Sequence, residues 1–336
     1  MQAYLDLVKE TLSEGTYKPN RTGVDAISHF AGHLRVDLRD GFPLLTTKKM
    51  DGYRWRSLIH EFLWYLSGEE HIRDLREKTK IWDAWADQEG RLETAYGRFW
   101  RRFPIPSSGL DGEAWADESS RWVGREEDGS LTFDQIQYVI DTLRETPNSR
   151  RMVVSAWHPA NAAVSKLPPC HYTFAFAVHD ERLNLHMTQR SADIALGVPF
   201  NIAAYSMLDM IVAQEVGLRP GVFSHTLVDL HAYCGRGERA TFYEQNHILL
   251  SRRVREATRR ADYLEIREWI EKAAPAEADG DLGMDHVPGL LEQMSRVPYA
   301  SPRLVVAKKP LDSLVYDDIS LADYRSHQGI TFSVAI

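Results

Sequence analysis

Apolar residues recur at helical spacing in several stretches of the chain. This periodicity predicts amphipathic helices over residues 4–12, 55–66, 133–143 and 202–216. Glycines follow the first, second and fourth of these stretches and are expected to end the helices. Region 238–294 is predicted to be helical and highly charged, with an acidic loop near 274–282.

Other stretches carry the residue types and alternation of β-strands. Those at 172–178 and 183–188 are separated by His-Asp-Glu-Arg, which predicts a hairpin. Further strands are predicted over residues 27–36, 152–157, 222–233 and 303–307. Because helices and strands do not alternate regularly, and because no internal repeat is found, we expect a single α+β domain over 1–336.

Composition narrows the class of protein. A chain of 336 residues with 43% hydrophobic and 26% charged residues can bury a sizeable core. The net charge of −8 argues against a dedicated nucleic-acid binder, so we expect no DNA partner. No stretch of about 18 apolar residues and no signal-peptide pattern is seen, so we expect a cytoplasmic protein without membrane contact. The two cysteines do not form a disulfide framework, and no metal-type Cys/His spacing occurs.

Segment 167–201 concentrates the candidate chemistry. It begins near Cys170, which is either a structural thiol or a nucleophile. A thiol becomes reactive when nearby positive charge stabilises the thiolate, and Arg190 on the partner strand of the hairpin could supply that charge. His171 is adjacent in sequence, and neighbouring strand residues point to opposite faces, which argues against a simple Cys-His dyad.

Four arginines lie at turns or strand ends beside small polar residues. Each one alone is explained by solvent exposure, but a planar guanidinium also suits a phosphate dianion. Ser191 beside Arg190 would add a hydroxyl donor. Together they indicate a small phosphorylated substrate, and the residues concerned are Arg21, Arg150, Arg151 and Arg190.

Three further polar residues have both a structural and a functional interpretation. Asn201 is either the N-cap of a helix or an amide that reads a base edge. Glu61 lies in an apolar helical run, so it must find a partner or have a raised pKa. Asp193, like the indoles of Trp82 and Trp85, could serve structure alone. No dinucleotide or nucleoside triphosphate motif is present.

The ordered motifs of the chain resemble those of the thymidylate synthase family. The resemblance covers roughly residues 2–103, 132–252 and 295–336. Segments at about 104–131 and 253–294 lie outside it and are interpreted as insertions, the first as an exposed excursion and the second as a charged surface decoration. The motifs are NRTG at 20–23, LLTTK at 44–48, IHEFLW at 59–64, IWDAWAD at 81–87, AYG at 95–97, SRR at 149–151, VSAW at 154–157, PCH at 169–171, QRSAD at 189–193, LGVPFN at 196–201, DLHAY at 229–233 and VAI at 334–336.

The resemblance implies reductive methylation of deoxyuridylate (dUMP) to thymidylate (dTMP), with 5,10-methylenetetrahydrofolate as methyl donor and reductant and with no metal. It also implies an α+β fold whose mixed, kinked sheet packs against its copy in a homodimer. Cys170 would be the nucleophile, and the C-terminal tail would form part of a lid with Trp82 and Leu167. The reaction centre would contain Cys170, Glu61, Tyr96, Trp82, His171, Asn201 and Arg190.

The same resemblance assigns residues to the two ligands. Arg150 and Arg151 would reach the phosphate site of the neighbouring subunit. The dUMP site would contain Arg21, Arg150, Arg151, Arg190, Ser191, Gln189, Asn201, His231 and Tyr233. The folate site would contain Trp82, Trp85, Leu167, Asp193, Leu196, Gly197, Phe200 and Ala335.

Some positions depart from the family pattern. Ala192 and Val228 replace a frequent cysteine and a glycine, and the loop at 50–56 is about two residues longer, leaving no clear counterpart of a folate-contacting histidine. Two alternatives stay open. One is a hydroxymethylase of the same fold, which the tryptophan at 82 and the intact tail disfavour. The other is a non-catalytic nucleotide- or RNA-binding relative.

Overall fold

A six-stranded mixed sheet lies at the centre of the computed structural model, which describes residues 1–92, 95–106 and 120–335. The strands of this sheet run in the order β1-β2-β9-β8-β7-β6. Strands β8 and β9 are parallel, and the other neighbours are antiparallel. The strands are β1 Thr16–Lys18, β2 Ala26–Asp37, β3 Phe103–Pro104, β4 Val123–Arg125, β5 Leu131–Phe133, β6 Val153–Ser155, β7 His171–His179, β8 Arg182–Asp193, β9 Arg219–Tyr233, β10 Arg303–Val306 and β11 Ile319–Ala322.

Helices flank the sheet and confirm the predicted α+β class. The apolar faces predicted at 4–12, 55–66, 133–143 and 202–216 all become helices. In the described ranges the helices are α1 Gln2–Glu14, α2 Tyr53–Ser67, α3 Arg73–Arg76, α4 Tyr96–Arg101, α5 Gln135–Glu145, α6 Pro159–Val164, α7 Gly197–Glu215, α8 Gly237–Glu256, α9 Arg260–Ala273 and α10 Val287–Ser295. None of the helices so described is long and apolar enough to cross a membrane.

The β7–β8 hairpin forms as predicted and sets the register of the central segment. Its turn residues Asp180 and Glu181 have φ values of 50° and 57°, the conformation that a tight two-residue hairpin requires. The hairpin pairs His171 with Gln189, and the Arg190 N–H donates to the Cys170 carbonyl at 2.8 Å. The turn therefore places the arginine opposite the cysteine, as the sequence predicted.

Helix α7 packs on strands β8 and β9 and is buried over most of its length. It is apolar on every side, as expected of a helix inside a core. It begins at Gly197, five residues before the predicted start at 202, so the interpretation of Asn201 as an N-cap is wrong. Asn201 instead lies inside the helix. The backbone N–H groups of Ala195 and Leu196, just before the helix, donate to the Asp193 carboxylate at 2.8 and 3.3 Å.

The two proposed insertions differ from each other, because the described residues of the first are exposed or half-buried, as expected of an excursion, whereas the second has a buried face. In the first, residues 107–119 lie outside the described part, and the remainder contributes strands β4 and β5 to a three-stranded sheet. In the second, Ile270 and Leu290 are fully buried in the core. The expectation of a charged surface decoration was therefore wrong for that segment, because its helices α9 and α10 pack together through apolar faces.

The two faces of the sheet are unlike. Leu34, Leu185 and Phe223 are buried on the face that the helices cover. Between them on the opposite face, Ser224 Oγ lies 3.0 Å from both His33 Nε2 and His186 Nδ1. This second face is polar and partly exposed to solvent.

Candidate active site

A cleft of about 850 Å³ opens beside the ends of strands β7, β8 and β9. It brings together every predicted site residue except Arg150 and Arg151. The predicted residues that line it are Arg21, Glu61, Trp82, Trp85, Tyr96, Leu167, Cys170, His171, Gln189, Arg190, Ser191, Asp193, Leu196, Gly197, Phe200, Asn201, His231, Tyr233 and Ala335.

Cys170 lies directly before β7 and is partly exposed to the cleft. Arg190 Nη2 lies 3.8 Å from its sulfur, and the Cys170 N–H donates to the Tyr96 hydroxyl at 2.7 Å. Burial raises the pKa of the Cys170 thiol, while the Arg190 guanidinium opposes that rise. The predicted electrostatic support from Arg190 is thus present in the geometry.

Arg190 is held rigidly at this position. Its Nε donates to the Pro169 carbonyl at 3.0 Å, and its Nη2 donates to the Pro168 carbonyl at 2.6 Å. Its guanidinium also lies 5.8 Å from the ring centre of Trp157. The prolines before Cys170 therefore orient the cation that faces the thiol.

His171 does not form a dyad with the cysteine. Its Nδ1 lies 2.6 Å from the Tyr205 hydroxyl, and its ring stacks on Tyr96 with centroids 3.8 Å apart. Burial lowers the pKa of His171 to about 3, so the ring is neutral. The neutral His171 ring therefore acts as a flat surface against which the Tyr96 ring packs.

Glu61 lies on α2 and faces the cleft. Because its neighbours in sequence are apolar, a partner or a raised pKa was predicted for it. Its Oε1 accepts hydrogen bonds from the Tyr65 hydroxyl at 2.7 Å and from Trp82 Nε1 at 2.8 Å. Burial raises the pKa of the Glu61 carboxyl, which those two hydrogen bonds oppose. Both alternatives stated for this residue, a partner and a raised pKa, are confirmed.

The amide of Asn201 is oriented by Gln189. Asn201 Nδ2 donates to Gln189 Oε1 at 2.9 Å, and buried His225 approaches the same oxygen through Nε2 at 3.0 Å. Gln189 Nε2 in turn donates to the Ser191 carbonyl at 2.8 Å. With its Oε1 accepting, Gln189 fixes which side of the Asn201 amide is the oxygen and which is the nitrogen.

The cationic side of the cleft contains Arg21, Arg190 and Ser191. Arg21 is exposed in the turn after β1, at the cleft margin. Arg150 and Arg151 are exposed on the stretch before β6 and do not line this cleft. One chain thus supplies two of the four predicted phosphate-binding arginines.

His231 and Tyr233 are successive inward positions at the end of β9. His231 Nδ1 lies 3.0 Å from the Asp229 carbonyl, and the two rings meet edge to face with centroids 5.0 Å apart. Burial raises the pKa of Tyr233 to about 12, so its hydroxyl stays protonated. This edge of the cleft can therefore offer hydrogen bonds to a sugar hydroxyl.

The other end of the cleft combines apolar rings with buried charges. Lys48 Nζ donates to the Ala195 carbonyl at 2.5 Å and lies 4.9 Å from the ring centre of Phe332. Burial lowers the pKa of Lys48 to about 7, an effect that Asp193 opposes. The predicted folate residues of this end are Trp85, Leu196, Gly197, Phe200 and Ala335.

Three polar residues at the site were missed from the sequence. Lys48 was noted only as the last residue of the LLTTK motif, and nothing in that pattern showed that its side chain is buried. His225 lies between two polar residues on β9, and this pattern did not indicate its contact with Gln189. His286 lies in a segment interpreted as an insertion, and it approaches Asp193 at 3.4 Å.

Comparison with known proteins supports the resemblance. The family model described as thymidylate synthase matches residues 2–336. The thymidylate synthase of Haloferax volcanii is 60% identical over 330 residues, which cover 98% of this chain and 95% of that protein. Among the residues that the structure describes, no group of three or more His, Cys, Asp or Glu side chains is placed to hold a metal. The predicted resemblance is confirmed, and the chain belongs to the thymidylate synthase family.

Proposed function

We propose that this chain converts dUMP to dTMP in the cleft described above, with Cys170 as the nucleophile. The bound 5,10-methylenetetrahydrofolate would supply a one-carbon unit to uracil C5 and then the hydride that completes the methyl group. The observation that carries this proposal is the approach of Arg190 to the Cys170 sulfur at 3.8 Å, in the same cleft as the oriented amide of Asn201.

The first step is addition of the Cys170 thiolate to uracil C6. The sulfur–carbon bond forms as the C5–C6 double bond opens, and negative charge develops on the oxygen at C4. The thiol proton leaves to solvent, and Arg190 stabilises the thiolate that remains. C5 then has the electron density that the one-carbon transfer requires.

Asn201 and Glu61 act on the charge that develops at C4. The Asn201 amide can accept from uracil N3–H and donate to O4, because Gln189 fixes its orientation. Cytosine presents the opposite donor and acceptor pattern, so the amide favours uracil. Glu61 would hold a water that donates to the same oxygen.

The C5 proton must be removed after the one-carbon unit is attached. Tyr96 lies beside Cys170, and burial holds the pKa of its hydroxyl well above the usual value. It therefore stays protonated and would pass the C5 proton on through a water. Loss of that proton would break the bond between the one-carbon unit and the folate nitrogen and leave an exocyclic methylene at C5. Hydride from the released tetrahydrofolate would complete the methyl group as the sulfur–carbon bond breaks, which returns Cys170 to its thiolate.

The residues at the second end of the cleft fit a reduced folate. Flat aromatic rings can stack on Trp85 and Phe200, and the Asp193 carboxylate can accept hydrogen bonds from ring N–H groups. The tail residue Ala335 lines the same end. Trp82, Leu167 and the tail would exclude bulk water, which would otherwise yield a hydroxymethyl product.

A homodimer would complete the phosphate site. Arg150 and Arg151 are exposed and lie away from the cleft of their own chain. The second face of the sheet, with His33, His186 and Ser224, is polar and partly exposed and would meet the same face of a second copy. A second copy packed there would bring its two arginines to this cleft.

The test is the absorbance rise from dihydrofolate when the chain meets dUMP and 5,10-methylenetetrahydrofolate. We expect one dTMP per dihydrofolate, with the product mass checked by mass spectrometry. A hydroxymethyl product would instead identify the hydroxymethylase alternative. Binding of dUMP without any dihydrofolate would identify the non-catalytic one.

A further inference from the structure

The C-terminal tail is hydrogen-bonded to a short segment of the region that was predicted to be an insertion. The Ser333 N–H donates to the Gly283 carbonyl at 2.9 Å, and its hydroxyl donates to the Leu282 carbonyl at 2.7 Å. The Phe332 ring packs edge to face on His286 with centroids 5.0 Å apart. Segment 282–289 therefore forms a latch for the tail.

His286 lies between the Ser333 carbonyl, which is within hydrogen-bond distance, and the Asp193 carboxylate, which is within ion-pair distance. Its Nε2 lies 3.0 Å from the Ser333 carbonyl, and its Nδ1 lies 3.4 Å from the Asp193 carboxylate. A neutral imidazole carries one N–H, whereas an imidazolium carries two. Nδ1 makes no hydrogen bond to the residues that the structure describes, but a carboxylate 3.4 Å from this buried nitrogen favours the charged imidazolium.

The surrounding charges favour the same form. The His286 ring is completely buried, which opposes its charge, but Asp193 and Asp285 raise its pKa above the usual value. Burial also acts on Asp193, yet the imidazole holds the pKa of that carboxyl below its usual value. The other titratable neighbours are Tyr233, whose ring centre is 5.4 Å from that of His286, and three groups that interact with Asp193, namely Lys48, His231 and Tyr4.

Asp193 connects this pair to the cleft. Its carboxylate accepts from the backbone N–H groups of Ala195 and Leu196, directly before helix α7. The first turns of that helix carry Phe200 and Asn201 into the site. A charge on His286 therefore holds the tail on one side and the start of α7 on the other.

We propose that His286, as an imidazolium, is a positioning residue that holds the C-terminal tail against the folate end of the cleft through Asp193. This inference rests on the proposed function, because it assigns the folate to that end. It predicts that the residue affects folate binding and leaves dUMP binding nearly unchanged.

The first test compares His286→Gln with the matched variant His247→Gln, which alters a histidine on α8 outside the cleft. A buried hydrogen bond to a charged group changes an equilibrium constant by roughly 10- to 100-fold. We therefore expect KM for the folate to rise about 10-fold or more in His286→Gln, with kcat and the Kd for dUMP changing by less than about threefold. The His247→Gln variant should match the wild type.

Two measurements distinguish a positioning role of His286 from a general contribution to folding. Carboxypeptidase should release the tail residues faster from His286→Gln than from the wild type, without any substrate present. The ratio of wild-type to variant kcat/KM for the folate should be largest at low pH and fall towards one as pH rises, because the wild type loses its imidazolium. Equal losses in dUMP and folate binding, or a ratio independent of pH, would overturn the inference.

A second variant moves the tail without altering His286. A Cβ added at Gly289 would lie 2.6 Å from Phe332 Cε1 and 2.9 Å from Ile330 Cγ2, so Gly289→Ala must displace the tail. We expect a raised folate KM and faster tail digestion, but a pH profile parallel to that of the wild type. Unchanged digestion and KM would show that the latch does not hold the tail.

The outcomes distinguish this inference from the proposed function. If the wild type formed no dTMP, the proposed function would fail. The tail digestion would still report on His286, because that measurement needs no turnover. If dTMP formed normally and His286→Gln kept the wild-type folate KM and tail digestion, only the positioning role would be refuted.

Discussion

The two ends of the cleft are built in different ways. The pyrimidine end is carried mainly by the continuous segment 167–201, in which one hairpin and the start of one helix place Cys170, Arg190 and Asn201. The folate end is assembled from parts far apart in sequence, including Lys48, His286 and the tail. A site built from one hairpin is fixed by local register, whereas the other end depends on long-range packing.

The ends also differ in the kind of charge they use. The pyrimidine end uses the guanidinium groups of Arg190 and Arg21, and arginine is the residue type that proteins use where a permanent positive charge is needed. Lys48, with a pKa of about 7, and His286, with a raised pKa, titrate much closer to neutrality. The two ends should therefore respond differently to substitution and to pH.

The largest expected effect is at the nucleophile. Cys170→Ala should lower turnover by about four orders of magnitude or more, because the covalent step has no substitute. Its Kd for dUMP should stay within a few-fold of the wild type, since the arginines and Asn201 remain. Steady-state dihydrofolate formation and equilibrium dUMP binding measure the two quantities.

The matched control is the other cysteine. Cys234 is completely buried, and burial raises its pKa well above the usual value, so it is an unreactive thiol. Cys234→Ala should keep turnover within a few-fold of the wild type. Normal turnover by Cys170→Ala would remove that residue from the role of nucleophile.

The next largest effect is on base choice. Asn201→Asp replaces the donor that faces uracil O4 with an acceptor, and such a buried mismatch costs about 3 kcal/mol, or roughly a hundred-fold. We expect kcat/KM for dUMP to fall by that factor and the affinity for dCMP to rise. Competition between the two nucleotides for the same variant measures the change, and an unaltered preference for dUMP would contradict the role of Asn201.

A smaller effect, confined to the folate end, is expected for Asp193→Asn. The neutral amide loses the charge that faces His286 and weakens the acceptor for the N–H groups of Ala195 and Leu196. We expect KM for the folate to rise about 10-fold and dUMP binding to change little. If the binding of folate and of dUMP weakened equally, the proposed difference between the two ends of the cleft would be contradicted.

The smallest effect is the pH dependence of the unmodified chain. As pH rises from about 6 to 8, Lys48 loses its proton, because burial lowers its pKa to about 7, and His286 loses its proton above the usual value for histidine, because Asp193 raises its pKa. Asp193 then loses its neighbouring cations. We expect KM for the folate to rise a few-fold over this range while the Kd for dUMP stays nearly constant.

Lys48→Met provides the control for this pH effect. It removes one of the two titrating cations and keeps an unbranched side chain only one atom shorter, so the rise in folate KM with pH should become smaller. A variant whose folate KM kept the full wild-type pH dependence would exclude Lys48 as a contributor.

The sequence predicted the pyrimidine end well because its determinants are local. The alternation of 172–178 and 183–188 defined a hairpin, and the hairpin alone placed Arg190 opposite Cys170. The apolar neighbours of Glu61 likewise predicted its partners or raised pKa. The resemblance then assigned roles that these positions could not reveal alone.

The folate end was harder to predict because its contacts join distant segments. Lys48 stands among polar loop residues, and only the fold buries it against Ala195 and Phe332. His286 was hidden in a segment that looked like surface. The start of α7 was placed too late, because the sequence did not show that the Asp193 carboxylate satisfies the N–H groups just before the helix.

The most direct test of the central claim is to trap the bond between Cys170 and the pyrimidine. In 5-fluoro-dUMP the C5 hydrogen is replaced by fluorine, so the step that removes a C5 proton cannot occur and the adduct at C6 persists. After incubation with this nucleotide and 5,10-methylenetetrahydrofolate, the intact mass of the wild type should increase, and peptide mapping should place the addition on Cys170. An unchanged mass, or an adduct that also forms on Cys170→Ala, would contradict the account.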